Sequence, residues 1–435
     1  MDGFTRRQVG KMIGAGALTA AGTSSLAGFA IAQGKGKVVI VGGGPGGATV
    51  AHQLKKGAPT LDVTLVEVRK EYTTCFYSNL YIGGFRTFDS ITHTYEGLKK
   101  LGVNVVHDTA VGVDAGKKTV KLQGGKTLNY DKLVLSPGID LKYETIEGYT
   151  PEAADIMPHA WKAGPQTKLL RKQLEAMKDG GTVILAAPDN PYRCPPGPYE
   201  RTCMIAHYLK TKKPKSKLIL LDPKKSFSKQ PVFMEAFNKY YKDILQVNLT
   251  TDIDNFAVVK VDAKTREVVT KDGAKFKADV ANIIPKQKAG KIVFDAGVNE
   301  GDWCPVKIET FESAKVSDIY VLGDASSASE MPKSGFSANS QAKVVATSIL
   351  AALAGKPAFP PRFRNTCWSL LAPGDSVKVG ANYAPGEKDG KKMLVSADSF
   401  VSKPGEDAKV RADNAKEADG WYSGIVSDTF AKQAS

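Results

Sequence analysis

Three glycines at fixed spacing follow an apolar run near the beginning of the chain. Gly42, Gly44 and Gly47 form a Gly-x-Gly-x-x-Gly pattern, and Glu67 follows twenty residues after the last glycine. Such glycines let backbone N–H groups approach a pyrophosphate at a helix N-terminus, and an acid at this distance binds a ribose hydroxyl. The residues therefore predict a dinucleotide site.

The residues around this motif have the pattern of a strand, a turn and a helix. The run Lys37–Val41 is apolar and β-branched, a helical pattern covers residues 48–56, and apolar residues return from Asp62 up to Glu67. A simple cluster of turn glycines is the alternative. It would not require the strand, the helix and the acid together.

A second acid in a similar position favours FAD as the dinucleotide. The apolar run 318–322 ends in Gly323-Asp324, so the aspartate is expected to hydrogen-bond a second polyol of the cofactor. On its own this pattern is equally typical of a turn. Taken with the glycine motif and the strand predicted over 128–138, which runs into Pro137-Gly138, it favours FAD over NAD.

Another strand–loop–helix unit follows at residues 181–187, with a further strand at 217–222, but it has no glycine motif. The loop 187–198 is rich in proline and cannot present the N–H cradle that NAD(P)H needs. We therefore predict an α/β fold with two interleaved Rossmann-like nucleotide-binding domains and a C-terminal α+β interface domain. The predicted boundaries are 33–150 with 285–349 for the FAD domain, 151–284 for the second domain and 350–435 for the last.

The C-terminal region has hairpin signals around Asp389-Gly390. The stretch 403–419 has the composition of a solvated loop. The end of the chain, 420–430, is short and broken by glycines, which disfavours a helix lying in a membrane surface.

The N-terminus has the pattern of an export signal. Arg6-Arg7 form a twin-arginine motif, residues 12–29 are rich in Gly and Ala, and Ala30-Ile31-Ala32 is a small-x-small cleavage signal. We expect a leader over 1–32, cleavage after Ala32 and a periplasmic protein. A membrane anchor is the weaker alternative, and no later stretch reaches about 18 continuous apolar residues.

Charge and cysteine usage exclude several classes of function. The net charge is +15, but the lysines are scattered without interleaved aromatics, so an acidic protein partner or simple solubility fits better than nucleic acid. The five cysteines and five histidines include no C-x-x-C, no C-x-x-C-H and no ligand spacing. No metal site and no c-type haem are predicted. The odd cysteine count leaves at least one sulfur outside any disulfide.

The contexts of three cysteines resemble a known family. The segments 71–79, 192–201 and 365–373 are similar to the flavoprotein subunit of flavocytochrome c sulfide dehydrogenase, as are 158–164, 284–291, 303–305 and 331–341. The resemblance covers essentially the whole chain after the leader. It implies a glutathione-reductase-like fold, bound FAD, oxidation of sulfide, and electron transfer to a separate c-type cytochrome subunit.

The resemblance also implies roles for individual residues. Cys75 matches the cysteine that binds FAD covalently, where a buried free thiol is the alternative. Cys194 and Cys367 match the family's redox-active disulfide, where a structural disulfide is the alternative. Glu200 matches the active-site glutamate, where a solvated helix-start carboxylate is the alternative.

Three further residues are not expected to take part in the chemistry. Cys203 is interpreted as a packing residue, Cys304 receives no role, and Phe336 is interpreted as a wall of the site.

These observations predict a periplasmic FAD-dependent sulfide dehydrogenase subunit that oxidises sulfide to sulfur or polysulfide. Three alternatives stay open. A sulfide:quinone oxidoreductase would need a membrane-binding C-terminus, and an NADH-dependent disulfide reductase would need a second glycine motif and a C-x4-C pair. A non-catalytic flavoprotein electron carrier would not need Cys194 and Cys367.

Overall fold

A computed structural model describes residues 36–249 and 255–432. The predicted leader, 1–32, lies outside the described residues. The strands are β1 (Lys37–Val41), β2 (Asp62–Val66), β3 (Glu71–Thr73), β4 (Thr92–Thr94), β5 (Asn104–Val106), β6 (Ala110–Asp114), β7 (Thr119–Leu122), β8 (Thr127–Asn129), β9 (Lys132–Leu135), β10 (Ile139–Leu141), β11 (Thr182–Ala186), β12 (Lys217–Leu221), β13 (Leu245–Asn248), β14 (Val258–Asp262), β15 (Glu267–Thr270), β16 (Lys275–Lys277), β17 (Val280–Ile283), β18 (Gln287–Ala289), β19 (Cys304–Pro305), β20 (Ile319–Val321), β21 (Ser326–Ser327), β22 (Phe363–Ala372), β23 (Asp375–Lys388) and β24 (Lys391–Val401). The α-helices are α1 (Gly47–Gly57), α2 (Ser78–Gly83), α3 (Glu96–Lys100), α4 (Pro165–Ala176), α5 (Gly197–Lys212), α6 (Gln230–Tyr240), α7 (Ile292–Asp295), α8 (Gly335–Leu353) and α9 (Ala408–Phe430).

The first apolar run becomes the central strand of a parallel sheet. The strand order is β20-β9-β1-β2-β5, and every neighbouring pair is parallel. Val38, Val39 and Ile40 are each at most 2% exposed, as expected for a parallel strand covered on both faces. Because β20 joins this sheet from far along the chain, Gly323-Asp324 comes to the same edge as the glycine motif.

The second nucleotide-type unit is a separate parallel sheet. Its order is β13-β12-β11-β17, so β11 and β12, the two strands expected at 181–187 and 217–222, pair directly. Helix α5 begins at Gly197, after the proline-rich loop that follows β11. The predicted α/β class with two Rossmann-like sheets is confirmed.

The C-terminal region is an antiparallel meander of β22, β23 and β24 covered by α9. The predicted hairpin joins β23 to β24 through Asp389 (φ 52°) and Gly390 (φ 72°), both in the left-handed region that such a turn requires. Strand β22 carries Cys367, and α5 packs beside it.

The C-terminal helix contradicts one prediction and the premise of another. Residues 403–419 were expected to be a solvated loop, and the glycines of 420–430 were expected to break a helix lying in a membrane surface, yet α9 runs without interruption from Ala408 to Phe430. Gly420 and Gly424 each cost about 1 kcal/mol in a helix interior, but they face outward. Burial of the side chains at 422, 425, 426 and 430 outweighs that local penalty.

The strand expected over 128–138 is also not continuous. It divides into β8, which belongs to a small antiparallel sheet, and β9, which belongs to the first parallel sheet. Tyr130 and Asp131 make the break, since their N–H groups bond to the carbonyls of Lys118 and Lys37 instead. No described helix is long and apolar enough to cross a membrane.

Candidate active site

The glycine turn after β1 can be built only with glycine at two positions. Gly42 has φ +103°, and a Cβ there would lie 2.2 Å from the carbonyl oxygen of Ser136. A Cβ on Gly47 would lie 2.0 Å from the carbonyl oxygen of Gly42. Gly47 thereby lets α1 begin directly against the turn, while Gly42 and Gly44 line a cavity above it.

We call this space the glycine-turn cavity. It extends from the turn to β9, the proline-rich loop and β20, and its lining includes Gly42, Gly44, Glu67, Cys75, Arg193 and Asp324.

Glu67 lies at one edge of the glycine-turn cavity. Its Oε2 accepts a hydrogen bond from the N–H of Gly43 at 2.8 Å, and its Oε1 accepts one from the N–H of Arg69 at 3.0 Å. The carboxylate is thus held beside the turn. Its predicted contact with a ribose stays a prediction.

Asp324 also lines the glycine-turn cavity, directly after Gly323 (φ +72°). Its Oδ2 is 3.4 Å from Nη1 of Arg193, and its Oδ1 is buried with no hydrogen-bond partner among the described residues. A buried acceptor without a partner is costly, so a ligand hydroxyl at this oxygen would relieve a real deficit. The two acids and the glycine turn fit the hydroxyl groups and the pyrophosphate of FAD.

Cys75 lies where the glycine-turn cavity meets a second space, which we call the cysteine cavity. Burial raises the pKa of the Cys75 thiol, and the nearby Arg193 guanidinium acts in the opposite direction. The thiol therefore lies between the predicted cofactor site and the other cysteines.

Both remaining site cysteines line the cysteine cavity. Cys194 has φ +59°, its N–H donates to the carbonyl of Lys333 at 2.8 Å, and it lies three residues before α5. Cys367 comes from β22, more than 170 residues later. The two cavities share Cys75, Arg193, Ser334 and Gly335.

All five cysteines are unpaired in the structure. The disulfide between Cys194 and Cys367 therefore stays a prediction. Burial raises the pKa of both thiols, and the neighbouring Cys367 raises the pKa of Cys194 further.

Cys367 also lines a third space, which we call the outer cavity. Its lining includes Pro195, Asn365, Cys367, Tyr383, Phe400 and Lys403. Cys367 therefore lines both the cysteine cavity and the outer cavity, while Cys75 lines the cysteine cavity and the glycine-turn cavity and Cys194 lines the cysteine cavity.

Glu200 lies in the first turn of α5 and is partly buried in the wall of the cysteine cavity. Its Oε2 accepts from Nδ2 of Asn79 at 2.8 Å and its Oε1 accepts from the N–H of Leu370 at 2.9 Å. Burial raises the pKa of this carboxyl, although these two hydrogen bonds oppose the shift. The alternative of a solvated helix-start carboxylate is wrong.

Two buried cations near the cysteines were missed by the sequence analysis. Arg201 is 2% exposed and donates to Asn79 and to the carbonyls of His159 and Ala160, and burial lowers its pKa to about 9. Lys229 is 5% exposed and donates to the carbonyl of Cys367 at 3.1 Å. Arg201 could have been noticed beside Glu200, but Lys229 has no local signal because its partners lie more than 130 residues away.

Aromatic side chains form one wall of the cysteine cavity. Phe336, Trp368 and Trp421 contact one another, with ring centroids between 5.2 and 6.3 Å apart. Phe336 therefore lies where a wall residue was expected.

Cys203 and Cys304 are both fully buried, in α5 and β19 respectively.

Comparison with known proteins gives matches over most of the described chain. Residues 36–174 match a model named pyridine nucleotide-disulphide oxidoreductase. Residues 167–285 match the central part of the sulfide dehydrogenase [flavocytochrome c] flavoprotein chain, and residues 359–430 match the flavocytochrome c sulphide dehydrogenase flavin-binding model. A flavoprotein chain of this name from Chlorobaculum thiosulfatiphilum is 51% identical over 43 residues, which are 10% of this chain and 90% of that sequence.

The chain belongs to the family of flavocytochrome c sulfide dehydrogenase flavoprotein chains. The resemblance inferred from the cysteine contexts is confirmed. The flavin-binding match of this flavoprotein chain covers the segment that contains Cys367, Trp368 and Trp421, which all line the cysteine cavity.

The flavoprotein chain is also similar to sulfide:quinone oxidoreductases. The mitochondrial enzyme of Dictyostelium discoideum is 24% identical over 331 residues, or 74% of this chain and 72% of that one. The structure of sulfide:quinone oxidoreductase from Aquifex aeolicus has a TM-score of 0.66 at 18% identity, covering 92% of this chain and 93% of its own. These likenesses support the fold, and the chain is a flavin-dependent oxidoreductase of this family.

Proposed function

We propose that the chain is a periplasmic FAD-dependent sulfide dehydrogenase that passes electrons to a c-type cytochrome subunit. Family membership makes it a sulfide-oxidising flavoprotein. One observation supports the catalytic role of the cysteines: Cys194 and Cys367 line a cavity that continues through Cys75 and Arg193 into the glycine-turn cavity.

FAD would lie across the glycine-turn cavity, with Glu67 and Asp324 as hydroxyl partners and Cys75 as its covalent attachment. When bound, the flavin supplies the acceptor for the electron pair that sulfide loses. Cys75 lines both the glycine-turn cavity and the cysteine cavity that Cys194 lines, and this supports the proposed attachment.

The surroundings of the two cysteines suggest separate tasks. Cys367 is reached from the outer cavity, so we assign it as the sulfur that HS⁻ attacks. Cys194 is then the leaving thiolate. The Arg193 guanidinium, which lowers the pKa of Cys194 and also lines the glycine-turn cavity, stabilises that thiolate next to the cofactor.

We assign Glu200 as the group that accepts a proton during the reaction. Its carboxylate lies in the same wall as both cysteines and has a pKa raised by burial, which suits a group that accepts a proton from HS⁻ or from the persulfide product. Asn79 and the N–H of Leu370 fix the two carboxylate oxygens in position.

The main alternative concerns the acceptor, since a quinone is used by the similar proteins from Dictyostelium discoideum and Aquifex aeolicus, as their names state. The glycines of 420–430 no longer argue against a quinone acceptor, because this segment is helical. However, α9 buries Tyr422, Ile425 and Phe430 against the protein, so those side chains are not available to a membrane surface.

The acceptor is tested with protein whose flavin has been reduced anaerobically by sulfide. We expect a c-type cytochrome from the same periplasm to co-purify, to stain for haem and to reoxidise the flavin faster than a short-chain quinone does. Faster reoxidation by the quinone would favour the alternative.

Export is tested separately. Changing Arg6 and Arg7 together to lysine should retain the precursor in the cytoplasm. Unchanged export in a strain that lacks twin-arginine translocation would refute the proposed route.

A further inference from the structure

Lys229 is a lysine whose ammonium group is buried against the strand that carries Cys367. The side chain is 5% exposed, and its Nζ donates to Ser369 Oγ at 2.8 Å, to the carbonyl of Cys367 at 3.1 Å and to the carbonyl of Val377 at 3.5 Å. All three acceptors are uncharged.

Removing an ammonium group from water without a carboxylate partner is unfavourable. The ion pairs formed by the described residues include none with Lys229. The titratable groups that face it are Glu200 and Cys203 from α5, Cys194 from the preceding loop and Cys367 from β22. Burial lowers the pKa of Lys229 to about 8, and an anion on any of these groups raises it.

Glu200 is not in ion-pair contact with the ammonium among the described residues, and its two oxygens accept from Asn79 and from the N–H of Leu370 instead. The remaining candidates for a counter-ion are sulfurs. Among them Cys367 has the closest link, since the same lysine binds its main-chain carbonyl.

The surroundings of the Cys367 sulfur include groups that favour its thiolate. Asn365 Nδ2 lies 3.5 Å from its Sγ, and Asn365, Lys229 and Ser334 all lower its pKa while burial and Glu200 raise it. At Cys194 the cation that lowers the pKa is Arg193 instead. Arg193 is thus the neighbouring cation that lowers the pKa of Cys194, and Lys229 is the one that lowers the pKa of Cys367, although Cys194 also acts on Lys229.

We propose that Lys229 is a positioning residue whose ammonium group stabilises an anionic sulfur at Cys367. The inference rests on the proposed function for its use in the reaction. There, HS⁻ forms a bond to Sγ of Cys367, the Cys194–Cys367 bond breaks, and its electron pair leaves on Cys194. The proton of HS⁻ passes to Glu200, and the persulfide anion on Cys367 is balanced by Lys229.

The test measures thiol ionisation in reduced protein, without sulfide. Alkylation by iodoacetamide is followed against pH and resolved by peptide mass spectrometry at Cys367 and Cys194. In Lys229→Met we expect the alkylation midpoint of Cys367 to rise by about one pH unit, a tenfold loss of thiolate at neutral pH. The midpoint of Cys194 should move less.

Two further variants make the result specific. Lys55→Met removes another buried lysine that donates only to carbonyls, those of Pro59 and Leu61, and should leave the midpoint of Cys367 unchanged. Lys229→Arg keeps the charge and should hold the midpoint at or below the wild-type value, which decides the matter if Lys229→Met does not fold.

An unchanged Cys367 midpoint in folded Lys229→Met, an equal shift in Lys55→Met, or a raised midpoint in Lys229→Arg would overturn the proposal. Because no sulfide is present, these outcomes are independent of whether sulfide reduces the flavin. A failure of sulfide to reduce the wild-type flavin would count against the proposed function alone.

Discussion

The carboxylate of Glu200 accepts the backbone N–H of Leu370 at 2.9 Å. This bond joins α5, which begins three residues after Cys194, to β22, which carries Cys367. The group assigned to proton transfer therefore also ties together the two elements that present the cysteines.

Glu200→Gln should slow flavin reduction by sulfide about 10²-fold, the scale of a lost general base. Because burial raises the pKa of Glu200, the wild-type rate should fall as pH decreases through that raised pKa, where the carboxylate becomes protonated. The variant should lack this fall. Stopped-flow measurements of flavin reduction at pH values on both sides of this pKa test the prediction. Glu96→Gln, which changes an exposed carboxylate, is the control and should keep the wild-type pH dependence.

The same shift has a consequence for stability. A carboxyl whose folded pKa is raised contributes stability that is present below its unfolded pKa and is lost as pH rises through the folded pKa. Glu200→Gln should therefore lose less stability than wild type over that pH range. An identical pH dependence of unfolding in the two proteins would contradict the assignment of the shift.

Cys75→Ala should release the flavin. We expect acid precipitation to leave yellow colour on wild-type protein and in the supernatant of the variant. Cys304→Ala, which removes a buried thiol in β19, should keep the colour on the protein. Flavin that is free in wild type, or still attached in Cys75→Ala, would show that Cys75 is not the attachment site.

NADH should not reduce the flavin. In the second sheet, the carboxyl ends of β11 and β12 are where a nicotinamide nucleotide would bind. Here Asp222 forms a buried ion pair with Lys224 at 2.7 Å and accepts from Tyr199 Oη at 2.6 Å. Tyr199 in turn stacks on Phe227, with 3.5 Å between ring centroids.

These side chains and the proline-rich loop fill the strand ends. Anaerobic mixing with NADH should leave the flavin absorbance unchanged on the timescale of sulfide reduction. Bleaching at a comparable rate would show that a nicotinamide site exists.

The parts of the site that depend on local sequence could be predicted. Gly42, Gly44, Gly47 and Glu67 form a contiguous strand–turn–helix–strand unit, in which the backbone requirements of the turn are written in the residue types themselves. The Asp389-Gly390 turn is similar, because its positive φ angles demand such residues.

The parts that depend on tertiary contacts could not be predicted. Lys229 meets Cys367 across 138 positions and Glu200 meets Leu370 across 170. The error at α9 has the same origin, since the glycines at 420 and 424 argue locally against a helix that Tyr422 and Phe430 stabilise by packing. The cysteine roles came from family resemblance, because isolated cysteines have no diagnostic spacing.

We propose that Cys194 and Cys367 together form the disulfide that sulfide attacks, and the mechanism depends on this pairing. It is tested most directly by rapid mixing of sulfide with Cys194→Ser and Cys367→Ser, each checked for folding and for flavin content. A merely structural disulfide would cost about 2–5 kcal/mol of stability on removal but would leave flavin reduction in the folded fraction.

We predict that both folded variants lose rapid flavin reduction, because each lacks either the sulfur that accepts HS⁻ or the thiolate that leaves beside the cofactor. Cys304→Ala serves as the control and should retain the wild-type rate, because Cys304 lies in β19, whereas Cys203 lies in α5 with Glu200 among its electrostatic neighbours. A wild-type rate of flavin reduction in folded Cys194→Ser or folded Cys367→Ser would contradict the account.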